Sequence, residues 1–135
     1  MVGLTHVTVS LKVPGAPGDG YEALFLVDSG ATDSMAPRSE LARAGIKPVG
    51  RLAYELADGR ITEYYFGLAQ IEFLGEITAG RVIFGPDGVE PILGVTALES
   101  AGIVIDPRTG ILKRLPAIPL KQFATAGRFT DRRAS

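Results

Sequence analysis

Short runs of alternating apolar and polar residues, each closed by a glycine, proline or Asp-Gly turn signal, constrain this 135-residue chain most strongly. A period of two puts successive side chains on opposite faces of an extended strand, so such runs build sheet rather than helix bundles. Leu4 to Val13 alternates in this way, and PGAPGDG (14–20) follows as a turn cluster that predicts a hairpin into YEALFLV (21–27). The nearly continuous apolar end of that second strand predicts burial on both faces. RLAYELADGRITEYYFGLA (51–69) places Asp58-Gly59 between two strand-like runs, the strongest local hairpin signal in the chain. QIEFLGEITAGRVIF (70–84) continues the pattern with glycine turns.

Helix enters only in short pieces. In PRSELARAGI, proline stands at a helix start, Leu41 and Ala44 are three apart, and Gly45 is a stop signal. PILGVTALESAGIVIDPRTGILKRL (91–115) reads as an apolar strand ending at Gly94, a helix from about Val95 to Ala101, a strand, a turn and a strand. ELARAGI (40–46) and ALESAGI (97–103) match at Leu, Ala, Gly and Ile. In both halves an apolar strand reaches a glycine before a short helix closed by Ala-Gly-Ile, which predicts internal two-fold pseudosymmetry. The expected architecture is mainly β, with one or two short helices, in one domain spanning 1–120. A basic, weakly patterned tail (121–135) is read as a solvated extension. The length suits one modest core and leaves no room for two catalytic lobes.

Fourteen basic and fifteen acidic side chains give a formal net charge of −1, no field for holding nucleic acid or an anionic membrane. The absence of cysteine removes disulfides, thiolate zinc sites and thiol nucleophiles, and fits a reducing compartment. The N-terminus alternates instead of forming an apolar leader, and no stretch approaches the ~18 apolar residues of a membrane span. A cytoplasmic location is therefore expected. His6, the one histidine, lies in an alternating stretch and is read as an ordinary strand residue, so a Ser/His/Asp triad has little to stand on. Tyr54, Tyr64, Tyr65 and Phe66 are read as core aromatics, with a cleft lining as the alternative.

Asp28 is the residue that needs explaining. It ends the apolar strand in FLVDSGATDS, where a buried unpaired acid costs several kcal/mol. One reading is an Asx turn, with the side chain capping nearby amides. A phosphoryl-accepting Asp usually has an acid two places on, where this chain has Gly30. A metal site needs further oxygen ligands, and Asp33, Glu40, Asp58 and Asp87 follow no calcium-loop spacing. The last reading is an aspartic protease carboxylate, one of a pair sharing a proton, with an adjacent hydroxyl to tie two loops and a glycine to admit substrate backbone.

FLVDSGAT resembles the Asp-Ser/Thr-Gly-Ala signature of retropepsin-like (clan AA) single-domain aspartic proteases, in their prokaryotic branch. PILGVTAL is similar to the family's second mark, two hydrophobic residues and a glycine before a short helix, carried here by Ile92, Leu93 and Gly94. The resemblance runs from about Leu4 to Leu115 and implies a closed β-barrel with a substrate-covering flap hairpin at Asp58-Gly59. It further implies Asp28 as the catalytic acid, with Ser29, Gly30, Ala31 and Thr32 making dimer-loop and substrate-backbone contacts. No metal or cofactor is implied. Retroviral members usually pair an acid, at the position of Thr32, with an arginine, at the position of Val95; both are missing here. Thr32 or Asp33 is then expected to make the substrate contact of that acid.

The other candidate acid, in IDPRTG, has no hydroxyl-glycine after it, and Asp106 is read as a turn acid. If the chemistry needs two carboxylates and each chain offers one, the second comes from another copy across a two-fold axis. The expected protein is thus a homodimeric aspartic endopeptidase acting on extended polypeptide. The alternative is a catalytically silent dimerisation or peptide-binding module of the same fold.

Overall fold

A computed structural model describes residues 5–18 and 20–120. Strands β1 (His6–Lys12) and β2 (Tyr21–Val27) form the expected antiparallel hairpin, with Val7 opposite Phe25 and Leu11 opposite Tyr21. A short strand β3 (Ser34–Pro37) leads into helix α1 (Arg38–Arg43). Strands β4 (Gly50–Glu55) and β5 (Ile61–Phe73) make the long hairpin around Asp58-Gly59, and β6 (Glu76–Gly85) returns against β5. Strand β7 (Ile92–Leu93), helix α2 (Val95–Ser100), and the small hairpin of β8 (Ile103–Ile105) and β9 (Leu112–Arg114) complete the described chain.

The main sheet runs β1-β2-β7-β3-β6-β5-β4. Because β1 also pairs with β5, through Val9 opposite Phe73 and Leu11 opposite Ile71, six strands close into a ring and β4 hangs outside it on β5. Closure removes the exposed edges that an open sheet would leave on the six. Inward side chains fill the interior: Val9, Leu11, Phe25, Ile71, Val82 and Leu93 are buried, with Leu41 and Leu98 from the two helices. Each such burial stabilises the fold by roughly 1.5–3 kcal/mol. No helix among the described residues is long and apolar enough to cross a membrane.

Three expectations are corrected. Burial of β2 is mainly on one face, since Leu24 remains 59% exposed while Phe25 and Val27 are buried. Of the glycine turns expected in 70–84, Gly80 forms none, since β6 runs unbroken through it. The other, at Leu74-Gly75, does form, with both residues at positive φ, the backbone that suits a tight antiparallel hairpin. The two halves echo each other only in part. Gly45 and Gly102 both close their helices with positive φ, and Ile46 and Ile103 behind them are both buried. At α1, the amides of Gly45 and Ile46 reach back to Ala42 and Leu41, a Schellman ending. The lead-ins differ: β3 stands between Gly30 and α1, whereas α2 follows Gly94 directly. The expected tail from 121 lies outside the described residues.

Candidate active site

Strand β2 stops at Val27 because Asp28 and the residues after it turn out of the sheet. The Gly30 amide donates to Asp28 Oδ1 at 3.0 Å, and the Ala31 amide to the Asp28 carbonyl at 3.1 Å. This is the Asx-type turn of the plainest sequence reading, and it fixes the direction of the carboxylate. The same carboxylate lines a cavity of about 700 Å³. The turn and the cavity wall are compatible: one orients the acid that the other presents.

The second motif is laced to this loop by backbone. Val27 lies beside Leu93 in parallel register, and the Asp28 amide donates to the Leu93 carbonyl at 3.0 Å. Beyond it, the Val95 amide donates to Ala31 at 2.8 Å and the Thr96 amide to Thr32 at 3.2 Å. These bonds join the Asp28 loop to the start of α2 through main chain alone. Gly94 packs so closely that a Cβ there would sit 2.6 Å from the Asp33 carbonyl carbon. Its amide donates to the hydroxyl of buried Ser34, 3.0 Å away.

The β4–β5 hairpin forms the facing wall, with Leu52 to Ala57 and Tyr64 along the cavity. Tyr54 and Tyr64 are therefore cavity residues, contrary to the core reading. Tyr65 is exposed under the Arg51 guanidinium, and Phe66 lies half-buried beneath Arg81. At the tip, Asp58 accepts from the Arg60 amide at 3.0 Å and from Arg60 Nε at 2.7 Å. Those two bonds, the amide first, hold its carboxyl below the usual range. Gly59 has φ +87°, and a Cβ there would meet nothing within 4 Å.

Of the sequence-predicted positions, the fold brings Asp28, Gly30, Ala31, Thr32 and Ile92 onto the cavity. Ser29 is exposed beside it, Leu93 and Gly94 are buried behind it, and Asp58 and Gly59 stand at the hairpin tip, off the lining. Asp33 lines the same cavity, with its carboxylate engaged within the chain. Its side chain is only 4% exposed, and Oδ2 accepts from the Tyr54 hydroxyl at 2.7 Å and lies 3.0 Å from Arg81 Nε. Burial first, then the hydrogen bond to Asp33, pushes the Tyr54 phenol up to about 12. Asp106 is a turn acid as expected, accepting from the Arg108 amide at 2.9 Å. His6 sits on β1 with Nε2 3.0 Å from Glu90.

The family model described as "Aspartyl protease" matches residues 9–97, from β1 into α2. The chain belongs to the aspartyl protease family. Comparison with curated proteins gave no match. The matched stretch of this aspartyl protease contains the Asp28 loop, the hairpin and the Ile92-Leu93-Gly94 motif, and ends within the second helix.

Proposed function

We propose that the chain is an aspartic endopeptidase working as a symmetric homodimer, with Asp28 of one protomer meeting Asp28 of its partner at the two-fold axis. The observation that carries this reading is a single Asp-Ser-Gly turn presenting its acid on a hairpin-walled cavity. The other carboxylate in that loop, Asp33, is already engaged by Tyr54 and Arg81 and is a poor intramolecular partner. Two carboxylates at short range hold one proton between them. The ionised one removes a proton from water as the oxygen attacks the peptide carbonyl carbon; the protonated one gives its proton to the carbonyl oxygen. The tetrahedral diol then collapses, the C–N bond breaks, and the nitrogen leaves with a proton returned by the pair.

In this mechanism the Ser29 hydroxyls tie the two loops across the axis, and the Gly30, Ala31 and Thr32 backbone pairs with extended polypeptide. The Asp58-Gly59 hairpin acts as the flap that closes over substrate and excludes water. A cavity of about 700 Å³ in each protomer suits a few peptide side chains. No metal or cofactor enters the chemistry, and with net charge −1 neither nucleic acid nor membrane is the partner. The protease domain is residues 1–120, acting in the cytoplasm.

The test compares wild type with Asp28→Asn on casein-like and designed peptides, with sizing of both proteins. The expected result is dimeric protein in both cases, and turnover lower by roughly a thousandfold or more in the variant. Wild-type turnover should also be blocked by an inhibitor that mimics the tetrahedral intermediate. A folded wild-type dimer with no turnover would identify the silent peptide-binding module instead.

A further inference from the structure

We propose that Asp33, Tyr54 and Arg81 form a clamp that seats the substrate-covering hairpin on the Asp28 loop, with Tyr54 as a positioning residue for substrate binding; the second part rests on the protease reading above. The three residues come from three separate pieces of chain: the loop before β3, the outer strand β4, and β6. Both donors converge on one carboxylate oxygen, Asp33 Oδ2, at 2.7 Å from the phenol and 3.0 Å from the guanidinium. A buried carboxylate with two donors, one of them cationic, makes charge-assisted bonds of the stronger kind.

The placement gives the clamp its leverage. In the sheet β4 pairs only with β5, and β5 meets β6 only from Phe66 onward, so nearer the tip no third strand supports the hairpin over the cavity. At the tip, Gly59 stands in open space. Tyr54 pairs with Thr62 one step below the turn, so the bond to Asp33 grips the hairpin near its free end instead of at its root. The Asp33 backbone is itself wedged against Gly94, and the preceding carbonyl, of Thr32, accepts from Thr96. The residue that catches the hairpin is thus the one locked into the second motif. Arg81 pairs with the acid while its guanidinium lies 5.5 Å from the Phe66 ring centre, on the opposite strand of the hairpin. A hairpin held this way starts near its closed position, and lifting it to admit a polypeptide lengthens the Tyr54–Asp33 bond.

Tyr54→Phe removes the hydroxyl and keeps the ring. Amide hydrogen exchange is read across 50–66, and steady-state kinetics are read on a peptide cleaved by the wild type. The clamp predicts exchange roughly tenfold faster in the hairpin with the ring strands unchanged, and KM raised roughly tenfold with kcat within about twofold. Arg81→Gln, at a half-exposed position, should move both readouts the same way and guards against a folding failure in the first variant. Unchanged hairpin exchange in both variants overturns the clamp. Faster exchange with unchanged KM overturns the positioning role. The exchange result stands without turnover, so a failure of the protease reading leaves the clamp itself decided by that arm.

Discussion

Asp28 and the glycines around it carry opposite demands that side-chain geometry separates. Gly30 is open: an added Cβ would meet only Asp28 Oδ1, at 3.4 Å. Gly94 is blocked by two successive carbonyls of the Asp28 loop, with Asp33 C at 2.6 Å, Asp33 O at 2.7 Å and Thr32 O at 2.8 Å. Gly30→Ala should therefore fold with stability within about 0.5 kcal/mol of wild type, and the proposed pairing of this loop with substrate backbone predicts that it loses turnover. Gly94→Ala should cost roughly 3 kcal/mol or more, because carbonyl groups cannot move aside as a flexible side chain can. Thermal melts beside peptide turnover check both; a Gly94→Ala protein as stable as wild type would contradict the packing. At this scale the sequence displayed the Asp-Ser-Gly-Ala loop and Ile92-Leu93-Gly94 plainly, since both are contiguous. It did not display the role of Asp33, whose partners lie 21 and 48 positions away and follow no local period.

Among the elements, the hairpin of β4 and β5 is where sequence reading succeeded on shape and failed on facing. Asp58-Gly59 marks the turn, but the alternation that marks a strand does not say which face meets a cavity, so it cannot separate Tyr54 and Tyr64 from core residues. Strand β3 escaped notice because four residues are too few to show a period, and its parallel pairing with β6 joins segments far apart in the chain. The helices were legible from their Ala-Gly-Ile endings, which need a residue at positive φ. The clamp at this hairpin has a pH signature. The ordinary tyrosine value is 10.0 and that of Tyr54 is pushed up to about 12, because burial and the Asp33 carboxylate disfavour the phenolate, with Arg81 opposing. A raised value means that the fold prefers the neutral phenol. Its stabilising contribution is therefore whole below pH 10 and is lost as pH rises through about 12. Ultraviolet titration should show one fewer late-ionising tyrosine in Tyr54→Phe than in wild type, and melting temperature should fall less steeply between pH 10 and 12 in the variant. Tyr21, raised by its own burial and by Glu40, is present in both proteins and cancels from the comparison. Identical slopes would contradict the assignment.

For the whole molecule, the closed ring explains why so small a chain can hold an acid at the edge of an apolar strand. Pairing β1 with both β2 and β5 surrounds Val9 and Leu11 with sheet, and the Asp28 loop then rests on β7 and α2 rather than on solvent. The sequence supplied the mainly β class, because every hairpin signal is local. Ring closure was not readable from periodicity: it depends on which strands meet across the core, and there the family resemblance served. The central claim, that each active centre is built from two chains, is tested most directly by mixing. Wild type is allowed to exchange subunits with increasing Asp28→Asn protein while peptide turnover per wild-type chain is followed. If the two Asp28 carboxylates work as a pair, the variant captures wild-type protomers in dead mixed dimers, and activity falls to about half at equal amounts and further with excess. Activity that stays proportional to wild-type protein at every mixing ratio, with exchange confirmed, would show that one chain carries a complete site and would contradict the account.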